Sequence, residues 1–477
     1  MNTVDQILPI RFMTHSLNAA PWGQRAARIM AAAIQAVEPG AAVAQYMRLE
    51  DERLIISEQV YNLNKYRRIF LIGAGKAGAP MAGTAAEILG PRLNGSIIIV
   101  KEGHTGSYIL HDVDYGKTIN AHAPKHTEVI RILEAGHPLP DERGVTGAQQ
   151  IEDLLSGTQP DDLVICLISG GGSALLVSPS PGITLDDMQE LTSSLLASGA
   201  NINEINALRK HLDRVKGGGL AGMAAPAAVA TLILSDVIGD PLDVIASGPT
   251  VPDPSTYEQA YQILERYDLL DRVPRSITTR LKKGQRGELP ETPKPGDPVF
   301  ERVLNVIIGS NIQAAGAAVS QAQKEGLHTL LLTTWLQGEA RQAGRFLAAV
   351  GRQINADNQP VVRPACVVAG SETTVTIKGD GLGGRNQEMA LGAVSELAGL
   401  PDSALITLAT DGGDGPTDAA GAVVTGETQY QAHQMGLSPD DFLARNDAYN
   451  FFEPLGDLLK PGPTHTNVND LAFLFAW

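Results

Sequence analysis

Cysteine is nearly absent, with two residues in 477, Cys166 and Cys366. Each sits inside an apolar run, which argues against a disulfide framework and for two buried, reduced thiols. No apolar stretch reaches the roughly 18 residues that a membrane helix needs. Residues 1–30 also lack the apolar core of a secretory signal. These absences lead to the expectation of a cytoplasmic protein without a membrane partner. Basic residues are in deficit: 37 Lys and Arg stand against 53 Asp and Glu, a net charge of −16. Such a chain repels a polyanion, which argues against non-specific nucleic-acid binding. An anionic small molecule would need a local basic pocket. Gly-x4-Gly-Lys-Ser/Thr is missing too, and nothing resembles a protein-kinase catalytic loop, so any nucleotide site must use other loops.

Glycine is abundant instead: 50 residues, where average usage of roughly 7% would give about 33. The excess falls in short clusters after apolar runs, as in Gly170-Gly171-Gly172 and Gly217-Gly218-Gly219. Those runs, among them Ile69–Ile72, Ile97–Val100, Leu163–Ile168, Leu232–Leu234, Val306–Ile308 and Leu405–Leu408, are apolar at even and odd positions alike. They read as strands covered on both faces, and their alternation with helical stretches implies an α/β chain with parallel sheets. Ligands in such sheets bind beyond the carboxyl ends of the strands, where the glycine loops lie. Thr184-Leu185-Asp186-Asp187 predicts a capped helix through about Ala197. A chain of this length exceeds one hydrophobic core. Lys282–Pro298, with Pro290, Pro293, Pro295 and Pro298 among charges, reads as a linker between domains 1–280 and 299–477.

Five segments carry chemistry. Gly73-x-Gly75-Lys76-x-Gly78 follows a strand and precedes a helix, and Glu102 comes after a second strand. This is the spacing of a dinucleotide-binding loop, yet Lys76 adds a full charge suited to a transferable phosphate. Ser169-Gly170-Gly171-Gly172-Ser173 offers backbone N–H groups and two hydroxyls to an anion. Asn206-x-x-Arg209-Lys210-His211 with Arg214 and Lys216 forms a basic helix before a glycine stop, read either as an anion site or as a solvated face. Asp236, Asp411 and Asp414 sit at strand ends among glycines, where a hard cation such as Mg²⁺ and a simple turn are both served. Arg385 follows Gly379–Gly384 and precedes a helix predicted over Glu388–Leu397, from which it can fork onto phosphate oxygens.

Together with Gly136–Asp141, Leu234–Thr250, Gly370–Thr373, Thr410–Ala420 and Gly462–Leu471, these segments run in one order through most of the chain. Jointly they resemble the class II glycerate kinases, the glycerate 2-kinase family with a C-terminal MOFRL domain. The resemblance implies ATP-dependent phosphorylation of D-glycerate to 2-phosphoglycerate with Mg²⁺ or another divalent cation. The fold it implies is an N-terminal Rossmann-like, doubly wound parallel sheet and a C-terminal α/β MOFRL-type domain, with the active site in the interdomain cleft of a monomer or homodimer. The catalytic lysine matches Lys76 and the catalytic arginine Arg385. The ATP set becomes Gly73, Gly75, Gly78, Ser169, Gly170, Gly171, Gly172, Ser173, Lys216, Asn311 and Glu372. The glycerate set becomes His137, Arg209, Lys210 and Asn386, and the metal set Asp411, Asp414 and Asp236. Two positions depart from the family pattern: Gly219 stands where arginine is usual, and His465 where glycine is usual. Some members bear the name hydroxypyruvate reductase, so NAD(P)H-dependent reduction stays open as the alternative.

Overall fold

The computed structural model describes residues 7–105 and 130–477. Its contacts divide the chain into two units. One holds Ala42–Ser235 and Asp240–Ile308; the other gathers the N-terminal stretch through Ala41, Asp236–Gly239 and Gly309–Trp477.

In the first unit a six-stranded sheet runs in the order Ile130–Ala135, Leu93–Lys101, Arg68–Ala74, Asp162–Ile168, Ala228–Leu234, Val303–Gly309. Numbered by appearance this is the 3-2-1-4-5-6 order of a Rossmann-like sheet. The pairings of Arg68–Ala74 with both its neighbours, and of the flanking strands Leu93–Lys101 with Ile130–Ala135 and Asp162–Ile168 with Ala228–Leu234, are parallel. Asp162–Ile168 is buried along its whole length. That explains its unbroken apolar run: helices cover both faces, so no residue has a solvent side. The strand order reverses between Arg68–Ala74 and Asp162–Ile168, and Gly75–Gly78 and Ser169–Ser173 leave from the ends of these two strands. Helix Leu185–Ala197 starts at Thr184 with the expected capping box, Thr184 and Asp187 exchanging hydrogen bonds. A small antiparallel sheet, Met47–Glu50, Arg53–Ile56 and Gln59–Asn62, completes the unit.

The second unit departs from the expectation of parallel sheets. Its order is His328–Glu339, Ala365–Thr374, Asp470–Ala476, Ser403–Ala409, Gly421–Thr425, Leu458–Leu459. Only the first pairing is parallel; the last long strand, Asp470–Ala476, lies between Ala365–Thr374 and Ser403–Ala409 and runs against both. An apolar run reports burial on two faces, not direction, so the two sheets look alike in sequence. Helices Ala340–Asp357 and Arg385–Leu397 supply much of the core over this sheet.

The expected boundaries also shift. Lys282–Pro298 is no free linker but a strap bonded to the Rossmann-like unit. Asp253 N–H donates to Pro293 O (2.9 Å), Tyr257 N–H to Glu291 Oε1 (2.8 Å) and the Thr292 hydroxyl to Asp253 Oδ2 (2.9 Å). Proline and charge there mark irregular backbone, not mobility. The N-terminal stretch joins the C-terminal unit instead. Arg28 forks onto Glu325 with two bonds of 2.7 Å, and Trp22 stacks on Trp477 at 5.6 Å.

Cys166 and Cys366 are buried and unpaired. Burial pushes the Cys166 thiol up to about 12 and moves Cys366 the same way. Among the described residues no helix is long and apolar enough to cross a membrane.

Candidate active site

The dinucleotide-like loop has no donors to spare. Gly75 N–H donates to Ile99 O (3.0 Å), Lys76 N–H to Gly170 O (2.9 Å), Ala77 N–H to the Ser169 hydroxyl (3.0 Å) and Gly78 N–H to Gly75 O (3.0 Å). The glycines serve close approach. A Cβ at Gly73 would stand 2.3 Å from Leu167 O, and one at Gly75, whose φ is +144°, 2.0 Å from the Ser169 hydroxyl. Gly78 similarly lets its helix reach Ile98. These glycines, expected to serve a nucleotide, bring two strand ends together, and the N–H groups of Gly75 and Gly78 are spent within the chain. Ser169 is a member of that contact, 2% exposed.

The second loop is different. Gly170 and Gly171 N–H groups have no acceptor among the described residues. Gly171 adopts φ +84°, and a Cβ there would meet His137 Cδ2 at 2.9 Å and Lys76 Cε at 3.5 Å. Lys76 and His137 therefore lie against this glycine. Lys76 is half-buried and its ammonium makes no hydrogen bond or ion pair among the described residues. Arg209 is half-buried too, with no hydrogen bond or ion pair of its own. Burial pulls its pKa down, and Asp213 acts on it from a distance. His137 is held neutral: burial first, then the charges of Lys76, Lys101 and His104, lower it to about 4. An unpaired ammonium beside two free N–H groups makes an anion cradle, and Arg209 adds its charge near Lys216 behind the loop. Gly172 packs against Ala246, and the Ser173 hydroxyl bonds that of Ser247 (2.8 Å), which donates to Asn206 Oδ1 (3.0 Å).

The rest of the basic helix is spent on structure. Lys216 is 2% exposed and donates to Ser173 O and Leu176 O, both at 2.8 Å, with Asp213 at 3.5 Å. It holds the Ser173–Leu176 segment within the chain. Lys210 is paired with Asp253 (3.3 Å) and Asp243 (3.4 Å). The partners of Lys210 and the carbonyls that take Lys216 are far in sequence, whereas Asp213 stands only three residues before Lys216. The family arginine also has no room at Gly219, where a Cβ would fall 1.9 Å from Arg214 O.

In the C-terminal unit, Arg385 opens helix Arg385–Leu397 and borders a cavity of about 540 Å³. Asp470, 2% exposed, takes its Nε at 2.6 Å, and Glu372 Oε1 stands 3.9 Å from Nη1. Burial outweighs the pull of Arg385 and brings Asp470 up to about 6; burial also raises Glu372, with the Asp236 charge adding. Val375, Ile377 and Pro416 give the cavity apolar wall, and Gly381, Gly383 and Gly384 give it bare backbone. Asn446 and Asp447, missed by sequence reasoning, hold that glycine segment: Asn446 Oδ1 accepts Lys378 N–H (2.7 Å) and Gly379 N–H (3.2 Å), and Asp447 Oδ1 accepts Leu382 N–H (2.9 Å). The one sequence signal is an Asn-Asp pair suited to a turn; Asn446 has φ +57°. Exposed His465 likewise sits at φ +61°, the left-handed region that explains the usual glycine.

Two of the expected binding residues are buried amides. Asn311 Nδ2 donates to Val468 O (2.8 Å) and Asp470 O (3.0 Å), tying a helix start to the strand that carries Asp470. Asn386 is 1% exposed, and its Nδ2 donates to Asp414 Oδ1 (3.4 Å). The side-chain oxygens of both have no hydrogen-bond partner among the described residues.

The aspartates do not form a cage. Among the described residues no group of three or more His, Cys, Asp or Glu could hold a metal. Asp414 Oδ1 accepts Asn386 N–H (3.2 Å) and its Oδ2 accepts Gln387 N–H (2.9 Å), so it caps the Arg385 helix. Asp411 is exposed on the cavity wall with one oxygen on Gly413 N–H (3.1 Å). Mg²⁺ needs only one or two carboxylates besides substrate phosphates, and Asp411 fits that smaller demand.

Burial pushes Asp414 up to about 7 against the pull of Gln387 N–H, with the Asp470 charge adding. An ordinary aspartate titrates near 3.9. Between about pH 4 and 7 the folded chain thus keeps a proton that the unfolded chain has released. The stability this supplies is full at low pH and is lost as pH rises through that window. The melting advantage of the wild type over Asp414→Asn should be larger at about pH 5 than at about pH 8. Calorimetry showing an advantage that grows with pH would contradict the burial-raised Asp414 pKa.

With this geometry in place, similar proteins are informative. The pattern of Domain of unknown function (DUF4147) matches residues 25–282, and that of the MOFRL family residues 365–470. The chain is 39% identical over 445 residues to a glycerate 2-kinase of Pyrococcus horikoshii, covering 93% of this chain and 95% of the relative. It is 41% identical over 404 residues to a D-glycerate 2-kinase of Thermotoga maritima, covering 85% and 89%. A glycerate kinase of Homo sapiens is 38% identical over 495 residues, covering 95% and 92%. The fold superposes on the crystal structure of a glycerate kinase from Thermotoga maritima with a TM-score of 0.82, at 38% identity over 95% of this chain and 99% of that one.

Proposed function

The chain belongs to the glycerate 2-kinase family with a MOFRL domain, and on that premise we propose that it transfers the γ-phosphoryl group of ATP to the 2-hydroxyl of D-glycerate. The observation that carries the reading is the contrast between the two glycine loops. All four N–H groups of Gly75–Gly78 are used within the chain, so the loop lacks the free donors a dinucleotide pyrophosphate requires, whereas the neighbouring loop keeps free donors beside unpaired Lys76. That combination favours anion transfer chemistry over hydride transfer.

Phosphoryl transfer is catalysed mainly by positioning and by charge placed around the moving group. Lys76 supplies one such charge from the strand-end turn. Arg385 supplies charge at its own cavity: Asp470 takes its Nε, and of the terminal nitrogens that can turn to ligand oxygens, Nη1 lies 3.9 Å from Glu372 Oε1. Asp411 is the residue that would hold a divalent cation brought with the nucleotide; the cation would supply charge neutralisation at the phosphates. The glycine turns and buried Ser173–Ser247–Asn206 chain keep the cradle rigid, so little reorganisation is needed when charge develops.

Purified protein with ATP, Mg²⁺ and D-glycerate should release ADP in a coupled assay, with less or none from tartronate or hydroxypyruvate. Oxidation of NADH by hydroxypyruvate without ATP consumption would replace this reading with the reductase.

A further inference from the structure

The sequence places ATP on the glycine loops of the Rossmann-like unit, but the charges and space in the two units argue for the opposite division. We infer that the carboxylate of the small hydroxy acid lies on the Gly170–Ser173 loop with Lys76 and Arg209, and that the adenosine end of the nucleotide occupies the cavity beside Arg385. This division rests on the kinase reading above.

Three observations carry it. The loop whose spacing suggests a nucleotide has all its N–H groups bonded within the chain, so no phosphate chain can replace them without breaking the contact between the two strand ends. What remains free at the loop is Gly170 and Gly171 N–H and the Lys76 ammonium, and the Arg209 charge acts on Lys216, which holds Ser173 O. Two consecutive donors and these charges match one carboxylate, and neutral His137 beside Gly171 suits a hydroxyl.

The other unit offers space. Its cavity of about 540 Å³ is bordered by Arg385, Asp411, Asp414 and Asp470, and Glu388 there is paired with Arg341. The cavity volume falls within the roughly 300–1,000 Å³ of small-molecule sites. Val375 and Ile377 supply the apolar surface that a planar base needs, and Ile377 is 78% exposed at the edge, an apolar side chain with no packing role of its own. Bare backbone at Gly381–Gly384 allows a ring to approach closely. Arg385 then lies where the phosphates leave the base.

Binding, not turnover, separates the two assignments. Titration calorimetry on the full chain uses D-glycerate alone and Mg²⁺–ADP alone. Arg209→Gln should weaken glycerate by roughly tenfold or more, since a charge-assisted contact is lost, and leave the ADP Kd unchanged. Ile377→Glu should weaken ADP by a similar factor and leave glycerate unchanged. Neither side chain is fully buried or holds a partner, and unchanged melting temperatures would show both folds intact; Arg209→Lys and Ile377→Ser serve as second variants if either melts early. The crossed pattern, with Arg209→Gln losing ADP and Ile377→Glu losing glycerate, overturns the division and leaves the kinase reading standing. Loss of both ligands in either variant also overturns it. Wild-type protein that binds neither ligand defeats the kinase reading, and the division falls with it.

Discussion

Lys76→Ala should lower kcat with D-glycerate and ATP by on the order of a hundredfold or more, with the melting temperature unchanged. The two halves of this expectation come from one fact. The Lys76 ammonium makes no hydrogen bond or ion pair among the described residues, so its removal breaks nothing that holds the fold. Its backbone N–H, which does hold the fold through Gly170 O, survives the substitution. What disappears is the only donor that the Gly75–Gly78 turn offers to solvent, next to the free Gly170 and Gly171 N–H groups. A charge fixed there is worth most where negative charge builds up in the transition state, so kcat should fall further than KM rises. Near-normal kcat in this variant would remove Lys76 from the chemistry.

Arg385→Ala should cost on the order of a hundredfold or more in kcat as well, and Arg385→Lys should recover little of it. Asp470, buried at 2% exposure, occupies the Nε edge of the guanidinium at 2.6 Å. The fork can satisfy Asp470 with Nε and turn its terminal nitrogens, one of them 3.9 Å from Glu372 Oε1, to a ligand. A lysine has one nitrogen, which the buried carboxylate would capture, and an ammonium cannot offer two parallel bonds. A lysine variant with a large share of wild-type kcat would show that point charge alone suffices and that the fork is not used.

The parts of this molecule that the sequence announces are those written in local chemistry. Thr184 and Asp187 announce a helix start because both capping partners lie within one turn. Apolar runs announce the strands, and the glycines after Ile72 and Ile168 fall at the switch point where a Rossmann-like sheet binds ligands. Spacing could not say whether those glycines admit a ligand or another strand end, since both need a missing Cβ. Only the acceptors of Gly75–Gly78 decide it, and three of them, Ile99 O, Gly170 O and the Ser169 hydroxyl, belong to other strand–loop units. Lys210 and Lys216 read as ligand contacts for the same reason: the groups that take them, Asp243 and Asp253 for Lys210 and the Ser173 and Leu176 carbonyls for Lys216, are brought up by the fold. Asp414 reads as a metal ligand because a carboxylate among glycines is ambiguous until the helix it caps is seen. Strand direction was silent too, so Asp470–Ala476, which brings Asp470 to Arg385, gave no sign of its role.

The most direct test is phosphorus NMR on the purified protein with ATP, Mg²⁺ and D-glycerate. The account predicts that the γ-phosphate signal declines while a phosphomonoester doublet grows, split by the single proton on C2 of 2-phosphoglycerate. A triplet from the C3 position would contradict the hydroxyl assigned here, and an unchanged ATP spectrum would contradict the kinase itself.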